Sequence, residues 1–120
     1  MTRMLVAGLA LSLAAVSSAQ TPQRPANAAP AGSAEDGKKL FIADGCYQCH
    51  GYEAQGSSAT GPRLGPKPIA FASFTRYVRA PSGQMPPYTA KVVSDADLAN
   101  IYAFLKSRPE PAKDIPLLKQ

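Results

Sequence analysis

A five-residue stretch, Cys46-Tyr47-Gln48-Cys49-His50, constrains this chain more than any other feature of its sequence. It contains both cysteines of the chain, separated by two residues, and the only histidine follows the second cysteine directly. This is the spacing of a c-type haem attachment site, because each thiol can form a thioether with one vinyl group of the ring. His50 would then lie beneath the iron and bind it through a neutral imidazole nitrogen. The stretch therefore predicts one covalently bound haem c.

The same two cysteines also allow a second interpretation, a disulfide in an exported protein. A Cys46–Cys49 bridge closes a very small loop and adds little stability, so its role would be thiol–disulfide exchange. In thioredoxin-like proteins the motif lies beside a strand–helix–strand unit, whereas the flanking segments here have helical patterns. Free thiols and no haem in the mature protein would favour this alternative.

The N-terminal residues 1–19 have the pattern of a secretory signal peptide. Arg3 supplies the positive start, residues 4–16 are apolar and uncharged, and Ser17-Ser18-Ala19 supplies small residues for cleavage after Ala19. An uncleaved membrane anchor is the alternative, but the apolar run is shorter than the roughly 20 residues that span a bilayer. We therefore predict a periplasmic protein without a membrane span once the leader is removed.

The rest of the chain divides into three parts by composition. Residues 20–32 are rich in Pro and Ala and predict a flexible linker, which either spaces the domain from the cleavage site or tethers it to a partner subunit. Residues 33–108 are the predicted haem domain, and residues 109–120 form a proline-punctuated C-terminal extension. The apolar residues 115–118 near its end either fold back onto the domain or form a small docking patch.

A helix is predicted at the start of the domain. Ser33 and Asp36 resemble a capping box at its N-terminus, and Gly45 is placed to end it. Gly37 and Phe41 share one face of this helix. Because an interior glycine costs roughly 1 kcal/mol relative to alanine, Gly37 predicts the close approach of another helix.

The last helix has the clearest pattern. Ser94 and Asp97 form a second Ser-x-x-Asp cap, and Pro109 marks the end. Its apolar stripe cannot be buried by the helix alone, so we expect it to pack against the face that carries Gly37 and Phe41. The stripe consists of Leu98, Ile101, Tyr102 and Leu105, with Phe104 alongside.

A third helix is predicted over residues 69–80, ending before Pro81. Its apolar residues have helical spacing and are expected to face a core that includes the haem. Among them, Tyr77 needs a hydrogen-bond partner for its hydroxyl wherever that group is buried. The stripe consists of Phe71, Phe74, Tyr77 and Val78.

Residues 51–68 are predicted to be mostly loop, because they contain four glycines and three prolines. An iron-bound histidine usually donates its other ring N–H to a carbonyl, which fixes the ring and raises its basicity. The rigid turn at Pro62 is the candidate to supply that carbonyl, and Leu64 is the candidate to cover the same haem face.

Met85 is the second candidate iron ligand, in the loop Pro-Ser-Gly-Gln-Met-Pro-Pro-Tyr of residues 81–88. It is the only methionine after the leader, and its thioether is a soft ligand for haem iron. Pro86 and Pro87 restrict the loop and can hold the sulfur at the sixth position of the iron. The alternative is an exposed, oxidisable surface methionine.

The whole set of segments resembles class I c-type cytochromes, the small mono-haem electron carriers of the bacterial periplasm and mitochondria. The resemblance covers residues 33–108 and implies an all-α cytochrome c fold, with three to four helices and loops wrapped around one covalently attached haem. By position, Pro62 matches the proline whose carbonyl accepts from the axial histidine, and Tyr77 matches an aromatic residue near the methionine sulfur. The matching elements are Gly37-Lys38-Lys39-Leu40-Phe41, Cys46 to His50, Gly61-Pro62-Arg63-Leu64, Tyr77-Val78-Arg79-Ala80-Pro81, Met85-Pro86-Pro87-Tyr88 and Asn100 to Leu105.

The predicted function is one-electron transfer, not enzymatic catalysis. Electrons would pass between a dehydrogenase or quinol-oxidising complex and an acceptor such as a terminal oxidase, with the chain acting as a free carrier or as the cytochrome subunit of a dehydrogenase. A haem sensor or a peroxidase-like enzyme is the alternative function. It would need an open sixth position on the iron, and the sequence has no second histidine to support it. The predicted roles are thioether attachment by Cys46 and Cys49, a haem pocket of Pro62, Leu64, Tyr77 and Val78, and axial iron ligation by His50 and Met85.

The charge balance favours an acidic protein partner over nucleic acid. The formal net charge is +5, or +4 once Arg3 is removed with the leader, and the sequence has no concentrated basic stripe. Six basic residues are candidates to guide such a partner, although each also fits an ordinary solvated surface. They are Lys38, Lys39, Lys67, Arg76, Arg79 and Lys91.

Overall fold

Four helices joined by loops make up residues 28–113, which are the residues that this computed structural model describes. They are α1 (Ala34–Ala43), α2 (Tyr47–His50), α3 (Phe71–Arg79) and α4 (Asp95–Lys106). No strand occurs in this range, where one isolated bridge pairs Ser57 with Gly61. The all-α prediction is confirmed.

Several predicted segments lie outside the described residues. They are the signal peptide, most of the linker and the apolar stretch near the C-terminus. The division of the chain into leader, linker, domain and extension stays a prediction. No helix among residues 28–113 has the length and apolar character needed to cross a membrane.

α1 begins and ends where the sequence predicts, but its capping box is only half formed. The Ser33 hydroxyl accepts from the Asp36 N–H at 3.1 Å, as expected. The Ser33 N–H instead donates to Asn100 Oδ1 of α4 at 2.9 Å, and the Asp36 carboxylate pairs with Lys39. The box prediction was wrong in this half because a residue from a distant helix supplies the acceptor. Gly45, with φ +76°, lies just beyond the end of the helix.

The packing of α1 against α4 confirms the predicted pairing of faces. Gly37 lies against the backbone of Asn100, and a Cβ on Gly37 would overlap its carbonyl oxygen. The rings of Phe41 and Phe104, both almost completely buried, lie 5.3 Å apart. The glycine therefore permits a helix contact that brings two large aromatic side chains together.

α4 has a complete capping box. Ser94 Oγ accepts from the Asp97 N–H at 3.1 Å, and Asp97 Oδ2 accepts from the Ser94 N–H at 2.9 Å. Both local cap residues are therefore satisfied within the predicted motif. The helix ends at Lys106, before Pro109, and its predicted apolar residues are buried, namely Leu98, Ile101, Tyr102, Phe104 and Leu105.

α3 joins this core through aromatic contacts. The ring of Tyr102 lies 5.2 Å from that of Phe71 and 5.5 Å from that of Phe74. The Tyr102 hydroxyl donates to the Ile69 carbonyl at 3.1 Å, just before α3 begins. The core is thus formed by α1, α3 and α4. The candidate site is built by α2 and the two long loops, residues 51–70 and 80–94.

Candidate functional site

The Cys-x-x-Cys-His motif forms a single helical turn. α2 covers Tyr47–His50, and Cys46 is the residue that caps it. The His50 N–H donates to the Cys46 carbonyl at 3.1 Å, which holds the turn closed. Residues three positions apart lie on one side of a helix, so the turn presents both cysteines in the same direction. Both thiols are free, with Cys46 half-buried and Cys49 exposed.

His50 is buried, and its ring orientation is set by a loop residue. Its Nδ1 lies 2.8 Å from the Pro62 carbonyl oxygen. A carbonyl can only accept, so Nδ1 is the donor, and in the neutral ring Nε2 then carries the lone pair that can bind a metal. The structure thus contains the hydrogen bond that the sequence predicted for Pro62.

The loop after the motif folds back onto it through hydrogen bonds. The Gly56 N–H donates to the His50 carbonyl at 2.8 Å, and the Thr60 hydroxyl donates to the Cys49 carbonyl at 2.7 Å. At Gly61, a Cβ would lie 3.1 Å from His50 Nδ1 and 3.0 Å from the Cys49 carbonyl oxygen. Only a residue without a side chain fits there without displacing its neighbours, which lets the Pro62 carbonyl reach the ring.

The other predicted pocket residues occupy three different environments. Val78 is buried, whereas Leu64 and Met85 are half-buried and pack against the same core cluster. Tyr77 is 43% exposed, and its hydroxyl donates to the Ser82 carbonyl at 3.3 Å. The sequence therefore identified three residues that border the core. The roles of all four residues toward haem stay predictions.

The environment of Cys46 disfavours its thiolate. Burial, and next the charge of Asp44, raise the pKa of the Cys46 thiol to about 11. A redox-active Cys-x-x-Cys pair requires the opposite, a thiol whose pKa is lowered so that the thiolate forms at neutral pH. This finding counts against the thiol–disulfide interpretation.

The donor set fits a c-type haem. Two free thiols on one helical turn, and a buried imidazole with an available Nε2, are the groups that such a haem requires. Asp44 Oδ2 is buried without a hydrogen-bond partner among residues 28–113, and burial is also the main reason that the pKa of Asp44 is raised. These features show a partly desolvated carboxyl group two residues before Cys46.

The contacts of two residues near the site were not predicted from the sequence. Arg79 was a candidate for partner binding, but its guanidinium donates to the carbonyls of Tyr88 and Val93. The Tyr88 hydroxyl donates to the Asp44 carbonyl at 2.9 Å, which connects the loop that carries Met85 to the segment before Cys46. No local pattern predicts these contacts, because they join residues 9 to 44 positions apart.

Most of the six candidate docking cations already have partners within the chain. Lys38 pairs with Glu53 at 2.5 Å, and Lys67 pairs with Glu110 at 2.6 Å. Arg76 forms no ion pair with any described carboxylate. Within residues 28–113 the same holds for Lys91, whereas Lys39 and Arg79 are both paired. Four of the six candidates therefore already pair with carboxylates of the described residues, and the role of the six in guiding a partner stays a prediction.

The comparison with known protein families agrees with this geometry. Residues 32–105 match the family described as cytochrome c oxidase, cbb3-type, subunit III. The matched range begins just before α1 and ends within α4, so it includes the Cys-x-x-Cys-His motif and the loop that carries Met85. No solved structure matches the chain. The chain belongs to the cbb3-type cytochrome c oxidase subunit III family, and so to the c-type cytochromes.

Proposed function

We propose that this protein is a periplasmic one-electron carrier that uses a single covalently bound haem c. Family membership supports haem-based electron transfer in general. The observation that carries the finer proposal is the 2.8 Å contact between His50 Nδ1 and the Pro62 carbonyl, beside two free cysteine thiols. It leaves the Nε2 lone pair of the only histidine available to bind a metal.

Each residue of the site has a distinct task in this proposal. Cys46 and Cys49 would hold the haem through thioethers, and His50 and Met85 would be the protein ligands of its iron. The Pro62 carbonyl accepts a hydrogen bond from the His50 Nδ1–H and so makes the imidazole a stronger ligand. When bound, the haem supplies an iron centre that is reversibly oxidised and reduced by one electron.

Ligation by Met85 determines whether the reduction potential is expected to be raised or lowered. A thioether is a soft ligand that stabilises the ferrous state, so His/Met ligation raises the potential. Leu64 and Val78 border the core near the site and would keep water away from the ring. With both His50 and Met85 bound, the iron would have no free site for oxygen or peroxide, which favours electron transfer over peroxidase-like chemistry.

The partners that we propose are redox proteins of the same compartment. The donor is a dehydrogenase or a quinol-oxidising complex, and the acceptor is a terminal oxidase. The family description, which names a subunit of a cytochrome c oxidase, supports an oxidase as the acceptor or as the complex that contains this chain. Gel filtration of the native protein would distinguish a free carrier from a complex subunit by its apparent size.

The haem attachment is tested by producing the full chain in a host that attaches haem c. We expect the purified protein to keep its haem after denaturation, with a mass increase of one haem per chain. The leader would be missing up to Ala19. Colourless protein from such a host, with both thiols open to alkylation, would refute the proposal.

The axial ligand is tested by Met85→Ala, with the similarly half-buried Leu64→Ala as the matched control. The Met85 variant should keep its covalent haem, lower its reduction potential and gain binding of imidazole to the iron. The control should keep the sulfur-to-iron absorption band of the ferric protein. An unchanged potential in Met85→Ala would exclude Met85 as the ligand.

A further inference from the structure

The methionine loop, residues 80–94 between α3 and α4, has few internal restraints. None of the hydrogen bonds among residues 28–113 involves residues 83–87. Three prolines in the loop, Pro81, Pro86 and Pro87, have no N–H to donate. The position of Met85 therefore depends on how the flanking residues of the loop are held.

Tyr88 fixes this loop on the C-terminal side of Met85, and Ser82, bonded by the Tyr77 hydroxyl, fixes it on the N-terminal side. The Tyr88 N–H donates to the Val78 carbonyl at 3.0 Å, and its hydroxyl donates to the Asp44 carbonyl at 2.9 Å. Only Pro86 and Pro87, whose φ angles are restricted, separate it from Met85. Because few torsions lie between them, a displacement of Tyr88 is passed on to the Met85 sulfur.

Arg79, the last residue of α3, restrains Tyr88 and the end of the loop together. Its Nη1 donates to the Tyr88 carbonyl at 2.9 Å and to the Val93 carbonyl at 2.7 Å. Its Nη2 donates to Asp95 Oδ1 at 2.7 Å, at the first residue of α4. The Arg79 side chain is only 22% exposed, so its hydrogen bonds are partly shielded from water.

We infer that Arg79 is a positioning residue that holds Met85 at the iron by bonding the two carbonyls of Tyr88 and Val93. This inference rests on the proposed ligation by Met85. A guanidinium has several donors in a rigid plane and can bond two carbonyls and a carboxylate at once, which the single ammonium of lysine cannot reproduce in that geometry. The role is therefore specific to arginine and not to positive charge.

The test compares Arg79→Lys with wild-type in the haem-loaded mature protein, using imidazole as the probe of the iron. Imidazole competes with the Met85 sulfur, so its apparent affinity rises with the fraction of molecules whose loop is displaced. We expect the apparent affinity for imidazole to rise about tenfold in Arg79→Lys, because this affinity scales with the fraction of molecules whose loop is displaced from the iron. The sulfur-to-iron absorption band should be lost on heating before the helical circular dichroism signal.

Two further variants make the comparison specific. Arg76→Lys is the matched control, because Arg76 lies on the same helix, is exposed and has no ion pair among residues 28–113. It should bind imidazole as wild-type does. Asp95→Ala removes the exposed acid that orients the guanidinium, without touching the core. The Asp95→Ala variant should raise the apparent affinity for imidazole about threefold, because this affinity scales with the fraction of molecules whose loop is displaced.

The two possible failures are distinguishable. If Arg79→Lys and Asp95→Ala both bind imidazole as weakly as wild-type, and the absorption band persists until the helices unfold, Arg79 has no positioning role. If wild-type itself binds imidazole as tightly as Met85→Ala, the ligation by Met85 fails and the inference fails with it. A purely structural role would instead make the band and the circular dichroism signal disappear together.

Discussion

Replacing Gly37 with alanine tests the helix contact on which the domain depends. Alanine alone would favour α1 by roughly 1 kcal/mol, because of its higher helix propensity. However, the added Cβ would overlap the Asn100 carbonyl oxygen, which belongs to backbone and cannot rotate away. α1 and α4 must therefore separate. Whether the substitution stabilises or destabilises the protein depends on whether this separation costs more than the helix-propensity gain.

The cost can be worked out from the contacts that the two helices share. Overpacking at a close contact costs typically about 1–3 kcal/mol. Separation also weakens the Phe41–Phe104 ring pair, worth about 0.5–1.5 kcal/mol. The hydrogen bond from the Ser33 N–H to Asn100 adds about 0.5–1.5 kcal/mol. After subtraction of the propensity gain, we expect Gly37→Ala to lower the free energy of unfolding by about 1–5 kcal/mol.

The assay is urea unfolding of the haem-loaded protein, followed by helical circular dichroism. The control, Ala43→Gly at the exposed end of α1, reports the propensity effect without the helix contact and should cost at most about 1 kcal/mol. If Gly37→Ala is as stable as wild-type, or more stable, the close approach of α1 to α4 is refuted. For Gly37→Ala we expect a lower urea concentration at the unfolding midpoint and an unchanged dependence of the unfolding free energy on urea concentration.

Two further predictions concern electrostatics. Ion pairs with Lys38 and Arg108 lower the pKa of the Glu53 carboxyl, the hydrogen bond from Lys38 being the largest cause. The stabilisation that ionised Glu53 supplies is therefore present at neutral pH and lost as the pH falls through the lowered pKa. Because Lys38 and Glu53 are each nearly half exposed, although Arg108 is mostly shielded, Glu53→Gln should cost less than about 1 kcal/mol. Urea unfolding from pH 7 to pH 3 would check this, and an identical pH dependence in the variant would contradict it. In haem-free protein at pH 8, iodoacetamide should modify the exposed Cys49 faster than Cys46, because burial raises the pKa of Cys46 to about 11. Equal rates in a mass-spectrometric time course would contradict the described environment.

The sequence by itself determined the parts of this protein that depend on short spacings. The Cys-x-x-Cys-His motif, the two serine caps and the apolar stripe of α4 are local patterns, and the structure places helices at each of them. Gly37 also predicted a helix contact correctly, because a glycine inside a helix has a cost that only close packing offsets. The partner of the His50 ring was predicted from the chemistry of metal-bound imidazole.

Only the tertiary structure decided the contacts between distant residues. The Ser33 N–H could have bonded Asp36 nearby, yet it donates to Asn100, 67 positions away. Arg79 could have faced a partner protein, yet it bonds the carbonyls of Tyr88 and Val93. Spacing along the chain specifies which local turns form, whereas the choice among several possible acceptors depends on which groups the packed helices bring within about 3 Å.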